Sequence, residues 1–97
     1  MLQLFAVIRT RGPAWKGSRS LEDQDDWDAH AAFMNALEKE RFIVLGGPLE
    51  GTSEVLLIMR AENRNEVIDR LSADPWAKNG LLRVSQVTPW SLRLGSL

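Results

Sequence analysis

The sequence predicts an α+β domain of order β-α-β-β-α-β. This is the split βαβ or ferredoxin-like plan, with helices on one face of an antiparallel sheet. Three observations carry the prediction. The chain opens on an apolar run, "LQLFAVIR", and closes on an extended one, "LLRVSQVTPWSLRL". Two segments between them place apolar residues at three- and four-residue steps. Between those two lie a pair of short apolar runs joined through a Gly-rich connection. At 97 residues, 44% hydrophobic and 26% charged, the chain has the size and balance of one globular domain, residues 1–97, without repeats or linkers.

The first strand ends where "TRGPAWKGSRS" supplies the Gly, Pro and Ser of a loop. Arg9, Arg11, Lys16 and Arg19 follow one another here before any counter-charge, around Trp15. Two readings stand: a solvated loop anchored by its tryptophan, or a basic rim for an anionic ligand. From Leu21 to Arg41 the pattern is helical, with Trp27, His30 or Ala31, Met34 and Leu37 on a stripe that Phe33 widens. Ser20 is placed to cap this helix, and the acids of "SLEDQDDWD" suit its first turns, where the helix dipole favours negative charge. Those acids need no catalytic role.

"RFIVLGGP" reads as a strand broken by Gly46-Gly47-Pro48, and "EVLLIMRA", after the turn "LEGTS", as its hairpin partner. "NRNEVIDRLSAD" gives a helix with Val67, Ile68 and Leu71 on one face and Asn63 or Asn65 near its start. It ends at Asp74-Pro75, because a proline disfavours helical geometry in the residue before it. In the last strand Leu82, Val84, Gln86 and Thr88 alternate with Arg83, Ser85 and Val87, and Pro89 confines it to an edge or a bulge. A sheet covered on one face leaves the other to a second copy, so a homodimer closing a two-sheet α+β barrel is expected. The pocket then lies between sheet and helices, with loops as its rim.

Charge and composition exclude several function classes. Twelve Lys and Arg against 13 Asp and Glu give a net charge of -1 with the basic residues scattered, so no nucleic-acid footprint is present. No apolar run approaches the roughly 20 residues needed to span a bilayer. The opening "MLQLFAVIRTR" lacks a signal peptide's basic start and cleavage site, and a cytoplasmic location is expected. The absence of cysteine removes disulfides, thiolate nucleophiles and zinc-cysteine sites, and with one histidine no metal site is expected within a chain.

Chemistry therefore falls on His30, carboxylates, hydroxyls, basic side chains or backbone groups. Three short pieces stand out: "DAHAAF" on the first helix, "GGP" after the second strand, and "DPW" after the second helix. In this fold both helices share one sheet face, so His30 and Asp74 can approach. A carboxylate beside an imidazole orients the ring, selects its tautomer and favours its protonated form. Each residue also has a plainer reading. His30 fits a half-buried core histidine, Asp74 the cap of a short helix with Pro75 at its first position, and Trp76 and Trp90 packing or interface. Gly46 and Gly47 fit a bulge or turn, although glycine also lets a ligand approach the backbone.

The order of these pieces resembles the YCII-related domain family of the dimeric α+β barrel group. The matching residues are His30, Phe33, Met34 and Leu37, then Leu45, Gly46, Gly47, Pro48 and Leu49, then Asp74, Pro75, Trp76, Gly80 and Leu81. The resemblance implies a ferredoxin-like dimer with an active site built around a histidine and an aspartate, here His30 and Asp74. Some relatives eliminate or rearrange small cyclic compounds. The turn "LEKERF" departs from the pattern, since relatives place a glycine there; Glu40 or Arg41 must make that corner.

The expected function is proton transfer on a small, anionic molecule by the His30–Asp74 pair, of elimination or isomerisation type and without a cofactor. Arg9, Arg11, Gly47, Pro48 and Trp76 are the expected substrate-binding residues. A pocket that binds or senses a ligand without turnover, and a purely structural dimerisation domain, are the alternatives.

Overall fold

The computed structural model describes residues 1–97. Its elements are β1 (Gln3–Arg11), a single 3₁₀ turn (Leu21–Asp23), α1 (Trp27–Lys39), β2 (Ile43–Pro48), β3 (Glu54–Ala61), α2 (Arg64–Ser72), α3 (Pro75–Lys78) and β4 (Leu82–Trp90). The four strands form one sheet of order β2-β3-β1-β4, antiparallel at every pairing. This is the expected ferredoxin-like α+β arrangement, with α3 as a short additional helix.

Strand alternation sets the core. Phe5, Val7 and Arg9 of β1 stand opposite Met59, Leu57 and Val55 of β3 on the face that the helices cover. Leu37 of α1, Val67 and Leu71 of α2 and Phe42 close over this set. A second cluster of Trp76, Leu81 and Leu82, packed by Ala14, Trp15 and Trp27, lies at the end of the sheet where the site forms. No helix is long and apolar enough to cross a membrane.

Three local expectations are corrected. The helix expected from Leu21 begins at Trp27, because Asp26 takes a left-handed conformation (φ 59°) that separates α1 from the 3₁₀ turn, so Ser20 does not cap α1. β2 is not broken at Gly46-Gly47-Pro48 but stays paired with β3 through Pro48; as an edge strand it tolerates the proline. In β4 the register jumps from Ile8↔Gln86 to Arg9↔Val84, leaving Ser85 as a bulge. One extra residue reverses the side-chain alternation, so Val87 joins Val84 in the core while Gln86 and Thr88 are exposed.

The other element ends follow local chemistry. Asn63 caps α2, its side chain accepting from the Glu66 amide at 2.9 Å. At the corner that lacks a glycine, Arg41 takes the left-handed conformation (φ 67°). There Phe42 N–H donates to the Leu37 carbonyl and Arg41 N–H to Glu38, and the Phe42 and Leu37 side chains share the core.

Candidate active site

Asp74 is at the centre of the site and is fully buried. It occupies the cap of α3, where its Oδ1 accepts from the Trp76 amide at 3.0 Å, and Pro75 fills the first helical position. The capping reading is therefore correct, but it uses only part of the carboxylate. His30 Nδ1, from α1, lies 2.9 Å from each of Asp74 Oδ1 and Oδ2. Arg9 Nη1, from β1, donates to Oδ2 at 2.8 Å. Three elements thus converge on one carboxylate.

Burial by itself raises the Asp74 carboxyl. The hydrogen bonds from His30 and the Trp76 amide, together with the Arg9 charge, outweigh that and hold the group below its usual value. Asp74 is consequently an anion and an acceptor only, so Nδ1 of His30 carries a proton and donates it. The other ring nitrogen, Nε2, makes no hydrogen bond within the protein.

The imidazole plane is fixed as well as its tautomer. His30 stacks on the Trp76 indole with centroids 3.7 Å apart and planes 5° from parallel. Trp76 is held by its Nε1–H donating to the Asp25 carbonyl at 2.7 Å and by the edge of Trp15, 5.4 Å away. Trp15 belongs to the loop after β1, which Gln24 clamps: its amide accepts from Lys16 N–H at 3.0 Å and donates to the Lys16 carbonyl at 2.7 Å. The loop is thus a wall of the site.

A cavity of about 120 Å³ opens beside His30 between sheet, α1 and this loop. Leu21, Met34, Val55 and Leu82 give it apolar walls, and Arg9, Arg11 and Glu54 are its charged groups. Of the residues expected from sequence, His30, Arg9, Arg11, Pro48 and Trp76 line it. Gly47 does not; it lines an adjoining groove between α1 and β2 that also reaches His30 and Met34. Arg11 lies with its guanidinium 4.4 Å from the Trp15 ring centre. Met34 was read from the sequence only as an apolar position of the first helix; Glu54 and the clamping role of Gln24 were not read, since a lone polar residue in an acid-rich stretch carries no signal of burial.

The family model of the YCII-related domain matches residues 4–91. The chain belongs to the YCII-related domain family. No curated protein sequence matches it. Among solved structures, it is similar to the 5-chloro-2-hydroxyhydroquinone dehydrochlorinase TftG from Burkholderia phenoliruptrix AC1100 in complex with 2,5-dihydroxybenzoquinone. The TM-score is 0.65 and the identity 29%, over 95% of each chain. That family neighbour is an elimination-type enzyme holding a six-membered ring compound.

Proposed function

We propose that this protein is an acid–base enzyme acting on a small cyclic compound by elimination or isomerisation. His30 Nε2 is the proton-transfer atom, and Asp74 orients and balances it. One observation carries the reading: a buried, ionised Asp74 holds Nδ1 at 2.9 Å while the same imidazole lines an apolar cavity. The likeness to a dehydrochlorinase supports the reaction class. At about 120 Å³ the cavity is of the same order as, and slightly smaller than, the roughly 150 Å³ that accepts benzene, which limits a ligand to a single ring.

With Nδ1–H committed to Asp74, the Nε2 lone pair is the ring's free base. It takes a proton from a hydroxyl or ring carbon of the substrate, and the electron pair left behind moves into the ring. In an elimination from a chlorinated ring diol, Nε2 carries one hydroxyl proton to the chlorine-bearing carbon, giving the keto tautomer. It then takes a second hydroxyl proton while the pair left behind moves through the ring and expels chloride. In an isomerisation Nε2 returns the proton to another carbon. The imidazolium formed in between is stabilised by the Asp74 charge and by the Trp76 face. No cofactor takes part in this scheme.

We further propose that the working unit is a homodimer. The face of the sheet turned away from the helices carries Leu4, Ala6 and Ile8 of β1 beside Ile58 and Leu56 of β3, with Leu45 54% and Trp90 38% exposed at its margins. A second copy covers this apolar face at the least cost in new surface.

Incubation with 5-chloro-2-hydroxyhydroquinone and related chlorinated ring diols, followed by chloride release and quinone absorbance, tests the reaction class. Chloride release is expected. Recovery of every compound bound but unchanged supports the ligand-binding reading instead.

A further inference from the structure

Arg9 lines the cavity while only 1% exposed, and only one of its three nitrogens is engaged with a carboxylate. Nη1 donates to Asp74 and lies 3.8 Å from Met34 Sδ. Nε and Nη2 are buried with no hydrogen-bond partner in the protein. Idle donors on a buried cation are destabilising, and a native structure that keeps them has a use for them.

The Nε–Nη2 edge of a guanidinium presents two parallel N–H groups, which match two acceptor oxygens side by side in one plane. Asp74 cannot fill that edge, since its oxygens already serve Nη1, His30 and the Trp76 amide. Glu54 and Arg11 also line the cavity, and neither bonds to Arg9. Met34, whose Sδ lies 3.8 Å from Arg9 Nη1 and which lines the same cavity, is unbranched and adaptable enough to move aside for a ligand.

We propose that the Nε–Nη2 edge of Arg9 is a binding fork for two adjacent oxygens on a flat ring, a vicinal diolate or hydroxyquinone. The proposal rests on the proton-transfer reading of the same cavity and names its substrate class. The apolar walls and small volume select the ring. Arg9 selects the oxygen pair, and Asp74, bonded to both Arg9 and His30, fixes the distance between fork and proton-transfer atom.

Calorimetric titration with 2,5-dihydroxybenzoquinone, hydroquinone and benzoate, on the unmodified protein and on Arg9→Lys, tests it. Lysine keeps the charge beside Asp74 but loses the planar fork. The unmodified protein is expected to bind 2,5-dihydroxybenzoquinone roughly 10- to 100-fold more tightly than hydroquinone, whose oxygens are not adjacent. Arg9→Lys is expected to abolish most of that preference. The comparison of ligands on the unmodified protein stands even where the variant fails to fold. Equal affinity for the two ring compounds, tighter binding of benzoate, no binding of any probe at millimolar concentration, or a ligand-bound structure with only water on the Arg9 edge would each overturn the proposal. Arg9-dependent binding without turnover of any substrate leaves the fork standing and removes the proton-transfer reading. His30-dependent turnover that Arg9→Lys leaves unchanged removes the fork alone.

Discussion

At the scale of single residues, Asp74 ties the stability of the fold to the proposed proton-transfer pair. It caps α3, neutralises a buried arginine and orients His30. Removing its charge strands Arg9 inside the protein, and breaking a buried pair costs about 3–5 kcal/mol. Asp74→Asn is therefore expected to lower the unfolding free energy obtained from chemical denaturation by that amount, whereas Asp28→Asn, on the exposed side of α1, changes it by less than about 0.5 kcal/mol. The pH dependence has a definite sign. The folded-state value of Asp74 lies below its unfolded value, so its contribution is complete above about pH 4 and is lost as pH falls through the folded value. Acid unfolding should show this loss in the unmodified protein and a flatter profile in Asp74→Asn. His30 and Asp74 were legible because "DAHAAF" and "DPW" fall on elements that share a sheet face. Arg9 was legible only as a basic residue. The alternation Phe5, Val7, Arg9 in β1 is the signal that places it inside, and it was masked by the basic run that follows.

Among the elements, the corners decide where the site's side chains stand. The helix-to-strand corner uses Arg41 at a position where glycine is favoured. A side chain there costs about 1–2 kcal/mol, against about 0.5–1 kcal/mol for glycine's greater freedom when unfolded. Arg41→Gly is thus expected to stabilise by up to about 1 kcal/mol, read as a raised melting temperature with unaltered ligand binding. The loop after β1 makes the opposite case. A Cβ on Gly12 would overlap the Gly80 carbonyl, whereas Gly17 has open space around it. Gly12→Ala should cost about 1–3 kcal/mol and loosen the wall that carries Trp15, while Gly17→Ala stays within about 0.5 kcal/mol. Element order and type were readable from periodicity. The bulge at Ser85 was not, because only pairing with β1 reveals the extra residue, and the left-handed Asp26 was hidden by a helical pattern that continues across it.

For the whole molecule, one sheet face is spent on the core and the site, and the other stays apolar in the single chain. If that face closes a dimer, a charge at its centre splits it: Leu56→Lys should convert a dimer to a monomer in sedimentation velocity while keeping the circular dichroism of the fold. A monomeric unmodified protein would contradict the homodimer. The overall plan follows from the order of apolar periods, and family membership agrees with it from residue 4 to residue 91. The candidate site sits at the end of the sheet where β1, α1 and α3 meet, a convergence over long sequence separation that no single motif spells out. The most direct measurement is kcat/KM for chloride release from 5-chloro-2-hydroxyhydroquinone in the unmodified protein and in His30→Ala. Loss of general acid–base catalysis predicts a fall of about 10²- to 10⁴-fold with the fold retained. Equal kcat/KM in the two proteins would contradict His30 as the proton-transfer group.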